Sequence, residues 1–114
     1  MAIEFYGIPN CDTVKKARVW LEAKGLAYTF HDFKKEGADP ARVASWVEAK
    51  GLDTVLNRRG TTFRNLSDAE KAAIDAGDAV RVMVEQPSLI KRPVVEREGA
   101  ILVGFKESEW DASF

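Results

Sequence analysis

The chain carries a single cysteine, Cys11, in the stretch PNCDTVKK, where a helix is about to begin. Backbone N–H groups left unpaired in a first helical turn, together with the helix dipole, favour negative charge at that place. Lys15 and Lys16 add positive charge within a turn, while Asp12 opposes it. The expected net effect is a lowered thiol pKa, and with it a thiolate able to attack a disulfide or an oxyanion. The competing reading makes Cys11 a small buried hydrophobe, as free cysteines often are. Pro9 and Asn10 ahead of it favour exposure. Val14 fills the position that a CxxC pair would need, so the chemistry open to Cys11 is that of a monothiol. A disulfide formed on it must be resolved by a thiol from outside the chain.

A second group is basic. Arg58, Arg59 and Arg64 fall in one loop, and Lys91 and Arg92 directly precede Pro93. Guanidinium forks bind carboxylates and oxyanions at two points, although most surface arginines are simply solvated. Arg92 stands out because the bond to Pro93 is a candidate for the cis geometry found at tight functional turns. His31 lies on a predicted strand, on the side opposite Phe30, where a lone histidine is more often structural than the base of a Cys/His pair. One Cys and one His cannot fill a zinc shell, so no metal is expected.

The elements that must position these residues follow from periodicity. AIEF predicts a strand over about 2–6, ended by Gly7 and Pro9. Val14, Ala17, Trp20 and Leu21 then recur at helical spacing up to Gly25. Tyr28 and Phe30 alternate with Thr29 and His31 in a second strand. A crossover helix of this length makes the two strands parallel and right-handed, and sets the Cys11 loop at the carboxyl end of the first. Asp39 and Pro40 open a helix that carries Val43, Trp46 and Val47 inward and ends at Gly51. Ser67 and Glu70 have capping-box spacing for a short helix closed by Gly77. DAVRVMVEQP fits both periods; helix, capped by Asp78 and stopped by Pro87, is the preferred reading. VVER and AILV flank Glu98 and Gly99 as a hairpin whose apolar runs suggest strands covered on both faces. Trp20, Trp46 and Trp110 sit at helical spacings that suit core packing, Trp110 in a last helical turn.

At 114 residues the chain should form one domain over 1–114. Seventeen Lys and Arg against 18 Asp and Glu leave a formal charge of −1, which offers no general field for nucleic acid or a membrane surface. The start lacks the parts of a secretory signal, and no apolar run nears the roughly 18 residues of a spanning helix. The cytoplasm is the expected compartment.

At YGIPNCDTVKKARVWLE, RRGTTFR and IKRPVV the chain resembles the arsenate reductase (ArsC/Spx-like) family, most closely its YffB-like branch. The resemblance implies an α/β thioredoxin-like fold, with a central mixed four-stranded sheet and a helical insertion. It makes Cys11 the catalytic cysteine, and Arg92 the arginine before a cis-proline, Pro93. Arg59 is the match to the arginine of the middle loop, with Arg58 next. Two departures separate the chain from the reductase proper: Gly7, Ile8 and Pro9 stand where a histidine precedes the cysteine, and Gly104, Phe105 and Lys106 where a third arginine lies. The YffB-like branch implies a glutathione-dependent thiol reductase, with no bound cofactor and glutathione as co-substrate. Arg92 and Arg59 would then hold a carboxylate of glutathione or another anion. Two alternatives stay open: glutathione-coupled arsenate reduction, and an Spx-like module that binds RNA polymerase without redox chemistry.

Overall fold

Alternating apolar residues in IEFYG form β1 (Ile3–Gly7), whose Ile3 and Phe5 are buried. The chain is a computed structural model that describes residues 2–114, divided into two compact units. The first consists of the segment up to Glu36 together with Arg92–Phe114, and the second is Gly37–Lys91. The predicted helical middle is thus an insertion between the two parts of a sheet unit.

In the sheet unit, α1 (Asp12–Ala23) buries Val14, Ala17, Trp20 and Leu21, the apolar stripe read from the sequence. Gly25, at φ 71°, ends it in the left-handed conformation that favours glycine. β2 (Thr29–Asp32) pairs parallel with β1, Phe5 opposite Phe30 and Tyr6 opposite His31. β3 (Val94–Arg97) pairs antiparallel with β1, and β4 (Ala100–Val103) with β3, which gives the order β2-β1-β3-β4. This is the mixed four-stranded sheet of a thioredoxin-like fold. Glu98 and Gly99 both take positive φ, 50° and 82°, as a two-residue primed hairpin turn requires. β4 departs from expectation: it is the outer strand, exposed at Ala100 and only half-buried along its other residues, because one neighbour covers it where β3 has two. The first core gathers Phe5, Val14, Leu21, Val95 and Trp110, the last carried by α8 (Glu107–Ser113).

His31 is structural. Its Nδ1 lies 2.9 Å from Glu36 Oε1 and its Nε2 3.3 Å from Glu4 Oε1, and its ring stacks on Tyr6 at 4.6 Å. Both contacts are hydrogen bonds only when both ring nitrogens carry protons. Partial burial pushes the imidazole pKa down, but Glu36 and Glu4 outweigh it and the net direction is up. A raised folded pKa contributes stability that is complete below the unfolded value and lost as pH climbs through the folded one. Unfolding at a series of pH values should therefore show the stability advantage of wild type over His31→Gln shrinking between about pH 5 and about pH 8; a flat difference would remove the ion pairs from the account.

In the inserted unit, α2 (Phe33–Glu36) having closed the first segment of the sheet unit, the chain enters α3 (Pro40–Lys50). Asp39 caps it by accepting from the Arg42 N–H at 2.9 Å. Val43 and Trp46 are buried and Val47 is half-buried. After α4 (Leu52–Val55), the loop predicted around Arg58 and Arg64 contains a helical turn, α5 (Thr61–Arg64). α6 (Asp68–Ala73) starts on the full capping box: the Glu70 N–H donates to Ser67 Oγ at 3.1 Å, and the Ser67 N–H to Glu70 Oε1 at 3.0 Å. Ser67→Ala should cost about 1 kcal/mol in denaturant unfolding, and a loss of a few tenths would show the cap to be idle. Gly77, at φ 95°, breaks the helical path in the left-handed conformation, as its place in the sequence predicts, and after this kink within Ile74–Asp78 the chain starts α7 (Ala79–Glu85). The helical reading of 79–86 is correct. Its cap is not, since Asp78 pairs with Arg81 instead of an amide. α7 packs on α3, burying Ala79, Val82 and Met83, and Pro87 opens a single tight turn, Pro87–Leu89. Among the described residues no helix is long and apolar enough to cross a membrane.

Candidate active site around Cys11

The turn after β1 delivers Cys11 as the residue immediately before α1, with extended backbone at φ −121° and ψ 124°. Its carbonyl accepts from the Lys15 N–H at 2.9 Å, the first bond of the helix. Gly7 suits this geometry: a Cβ there would stand 3.0 Å from Cγ2 of the buried Val14, so a side chain would force Val14 to give by a few tenths of an ångström. The glycine that the sequence showed only as a loop signal also faces a close side-chain neighbour.

Cys11 is half-buried, packed against the first core. That placement mixes the two sequence readings. Burial pushes the thiol pKa up, but the Val14 N–H, the Arg92 guanidinium and the Thr13 N–H together outweigh it, and the net direction is below the ordinary value of 9.0. The thiol's stabilisation as an anion comes from amides of the first helical turn and one cation acting on the sulfur.

Arg92 reaches the sulfur from the residue before β3, and its bond to Pro93 is cis as expected. The Pro93 carbonyl accepts from the Gly104 N–H at 2.8 Å, which fixes this corner to the strand that follows the hairpin. Cys11, Arg92 and Pro93 are thus brought together within the sheet unit. The rest of the neighbourhood supplies no second thiol, since Val14 is fully buried in the CxxC position.

Arg58 and Arg59 belong to the inserted unit. There the Asn57 N–H donates to the Leu89 carbonyl at 2.8 Å and the Lys91 N–H to the Val55 carbonyl at 2.7 Å, tying the arginine loop to the strand-like segment before Arg92. Asp53, Asn57, Arg58, Arg59 and Lys91 line a cleft of about 470 Å³. Arg58 holds Asp53 loosely at 3.4 Å, and the Arg59 N–H donates to Asn57 Oδ1 at 3.1 Å. A Cβ at Gly60 would stand 2.9 Å from Asn57 Nδ2, so a larger residue there would shift the Asn57 side chain. Lys91 stands out in the sequence only as the neighbour of Arg92, and Asn57 gives no signal there. Arg64 is exposed, with Nη2 3.5 Å from Thr61 Oγ1. Three cations against one carboxylate make the cleft suited to an anion.

The chain has counterparts among known proteins. A solved structure described as YFFB protein is 50% identical, with each chain covered over 96% and a TM-score of 0.92. An uncharacterized protein of Haemophilus influenzae is 41% identical over 98% of both chains. The global transcriptional regulator Spx of Bacillus subtilis is 26% identical over 94% of this chain and 82% of its own length. The family model of the ArsC family matches residues 6–113, a span that takes in Cys11, the arginine loop and the Arg92–Pro93 corner, and the chain belongs to that family, within its YffB-like branch.

Proposed function

We propose that the protein is a monothiol reductase that works with glutathione. The observation that carries this reading is the Cys11 sulfur, half-buried before α1 and faced by the Val14 and Thr13 amides and the Arg92 guanidinium. The Cys11 thiolate attacks one sulfur of a disulfide; the old S–S bond breaks, and the departing thiolate takes a proton from solvent. Cys11 is left in a mixed disulfide. A glutathione thiolate then attacks, releasing Cys11 as thiolate and leaving the second sulfur as a new disulfide with glutathione. The net result is one substrate thiol released and one free glutathione taken into the remaining disulfide, which is oxidised glutathione when the sulfur that Cys11 attacks belongs to a glutathione mixed disulfide. Arg92 favours the attacking thiolate in the first step and makes Cys11 a good leaving group in the second. Arg59, with Arg58 beside it, is proposed to take a carboxylate or oxyanion in the cleft of the inserted unit.

Incubation with oxidised glutathione followed by intact mass measurement tests the reading. One glutathione per chain is expected, on the tryptic peptide that holds Cys11, and none on Cys11→Ser. An unmodified wild-type chain would sink it.

The likeness to Spx favours a second reading, a docking module for RNA polymerase that uses no redox chemistry. Equal capture of wild type and Cys11→Ser by purified polymerase is its expected result. For arsenate as a substrate, turnover coupled to glutathione oxidation decides.

A further inference from the structure

One exposed surface beside the cysteine has no role in the chemistry above. Lys15, Lys16, Val19, Trp20 and Ala23 of α1 and Phe105 line a groove of about 520 Å³, mainly apolar, in the sheet unit. Val19 is 65% exposed, and is the one large apolar side chain so exposed among the described residues. A β-branched residue at that point of a helix gains nothing from water or from helix propensity. The groove begins one helical turn past the cysteine: Lys15, whose N–H donates to the Cys11 carbonyl, and Val19, four residues on, both line it. Neither Lys15 nor Lys16 forms an ion pair among the described residues, while Glu107, also in the lining, is the single acidic member.

We infer that this groove is where an oxidised protein substrate docks, as an extended segment with a bulky apolar side chain about four residues from the reacting cysteine and a carboxylate near it. The inference rests on the thiol-reductase reading and adds its substrate class. The spacing follows from helix rise: eight residues at about 1.5 Å place Val19 roughly 12 Å from Cys11 along the axis, and an extended strand covers that in about four residues. The carboxylate would meet the lysine pair, which lies between the cysteine and Val19. Glutathione itself fits poorly, because its surface is nearly all amide and carboxylate and would leave Val19, Trp20 and Phe105 in contact with polar groups. A bulky apolar side chain on a peptide uses that area.

The test compares two disulfides on three proteins. One is oxidised glutathione; the other is a peptide with a central cysteine carried as its glutathione mixed disulfide, a phenylalanine four residues to either side and a glutamate next to the cysteine. Wild type should consume the peptide at least tenfold faster than the same peptide with serine for phenylalanine. Val19→Glu, which puts a charge on an exposed site and leaves the core alone, should erase that preference while reacting with oxidised glutathione and with iodoacetamide as wild type does. Val19→Leu should keep it. Equal rates for both peptides on wild type overturn the docking inference. So does an equal loss with both disulfides in Val19→Glu, which would make the groove a glutathione site. A wild type that alkylates but exchanges with no disulfide overturns the thiol-reductase reading beneath, and the inference falls with it.

Discussion

Arg92→Ala should slow alkylation of Cys11 near neutral pH by on the order of tenfold, because a cation beside the sulfur is exchanged for a methyl group. The rate of alkylation follows the thiolate fraction, so in wild type it should rise along a single titration curve with its midpoint below 9.0, the direction set by the Val14 amide, Arg92 and the Thr13 amide against burial. Removing Arg92 leaves the amides in place and shifts the midpoint upward. At high pH, where both proteins are fully ionised, the two rates should converge. Arg92→Lys keeps a charge but loses the planar fork, and should fall between them. Superimposable curves for wild type and Arg92→Ala would take Arg92 out of the site. A lower plateau with an unmoved midpoint would give it a role in orientation instead. Since the side chain sits at the cis corner before β3, far-ultraviolet circular dichroism of the variant serves as the fold control.

Trp110→Ala should remove about 3–5 kcal/mol from the stability of the sheet unit, read by denaturant unfolding. The side chain is fully buried. Its ring meets Trp20 at 5.6 Å and Phe105 at 4.9 Å, both edge-on, and lies 6.5 Å from Phe5. The indole N–H donates to the Gly104 carbonyl at 3.2 Å. Truncation therefore opens a large cavity and strands a buried acceptor. Trp110→Phe fills most of the space and lacks only the donor, and should cost about 1–2 kcal/mol. A loss under about 1 kcal/mol for the alanine variant would mean that α8 does not close this core. The same measurement reports on the site, since Cys11 packs against the cluster that Trp110 and Val14 share.

Several features of this protein were legible residue by residue because the physics behind them is local. Asp39 before Pro40, and Ser67 three before Glu70, satisfy amides within one turn and need nothing from the rest of the chain. Glu98 and Gly99 accept positive φ and so close a hairpin by themselves. Cys11 at the start of α1 belongs to the same class, for its exposure to the helix amides depends only on where the apolar stripe of α1 begins. The other determinations are tertiary. The stretch 79–85 fits both periods in the sequence, and burial of Ala79, Val82 and Met83, with α7 packed on α3, decides for helix. β4 has the same apolar run as β3, yet its place at the sheet edge leaves it half-open. Periodicity put Val19 on α1 without saying that nothing would cover it. The meeting of Arg92 with Cys11 is the sharpest case: sequence supplies a cysteine that favours negative charge and a distant arginine, and only the pairing of β3 with β1 brings the cation to the sulfur. Capping, turn and helix signals act over three or four residues and are written where they act, whereas that encounter is fixed by the summed packing of a whole sheet, to which no short stretch of sequence holds the key.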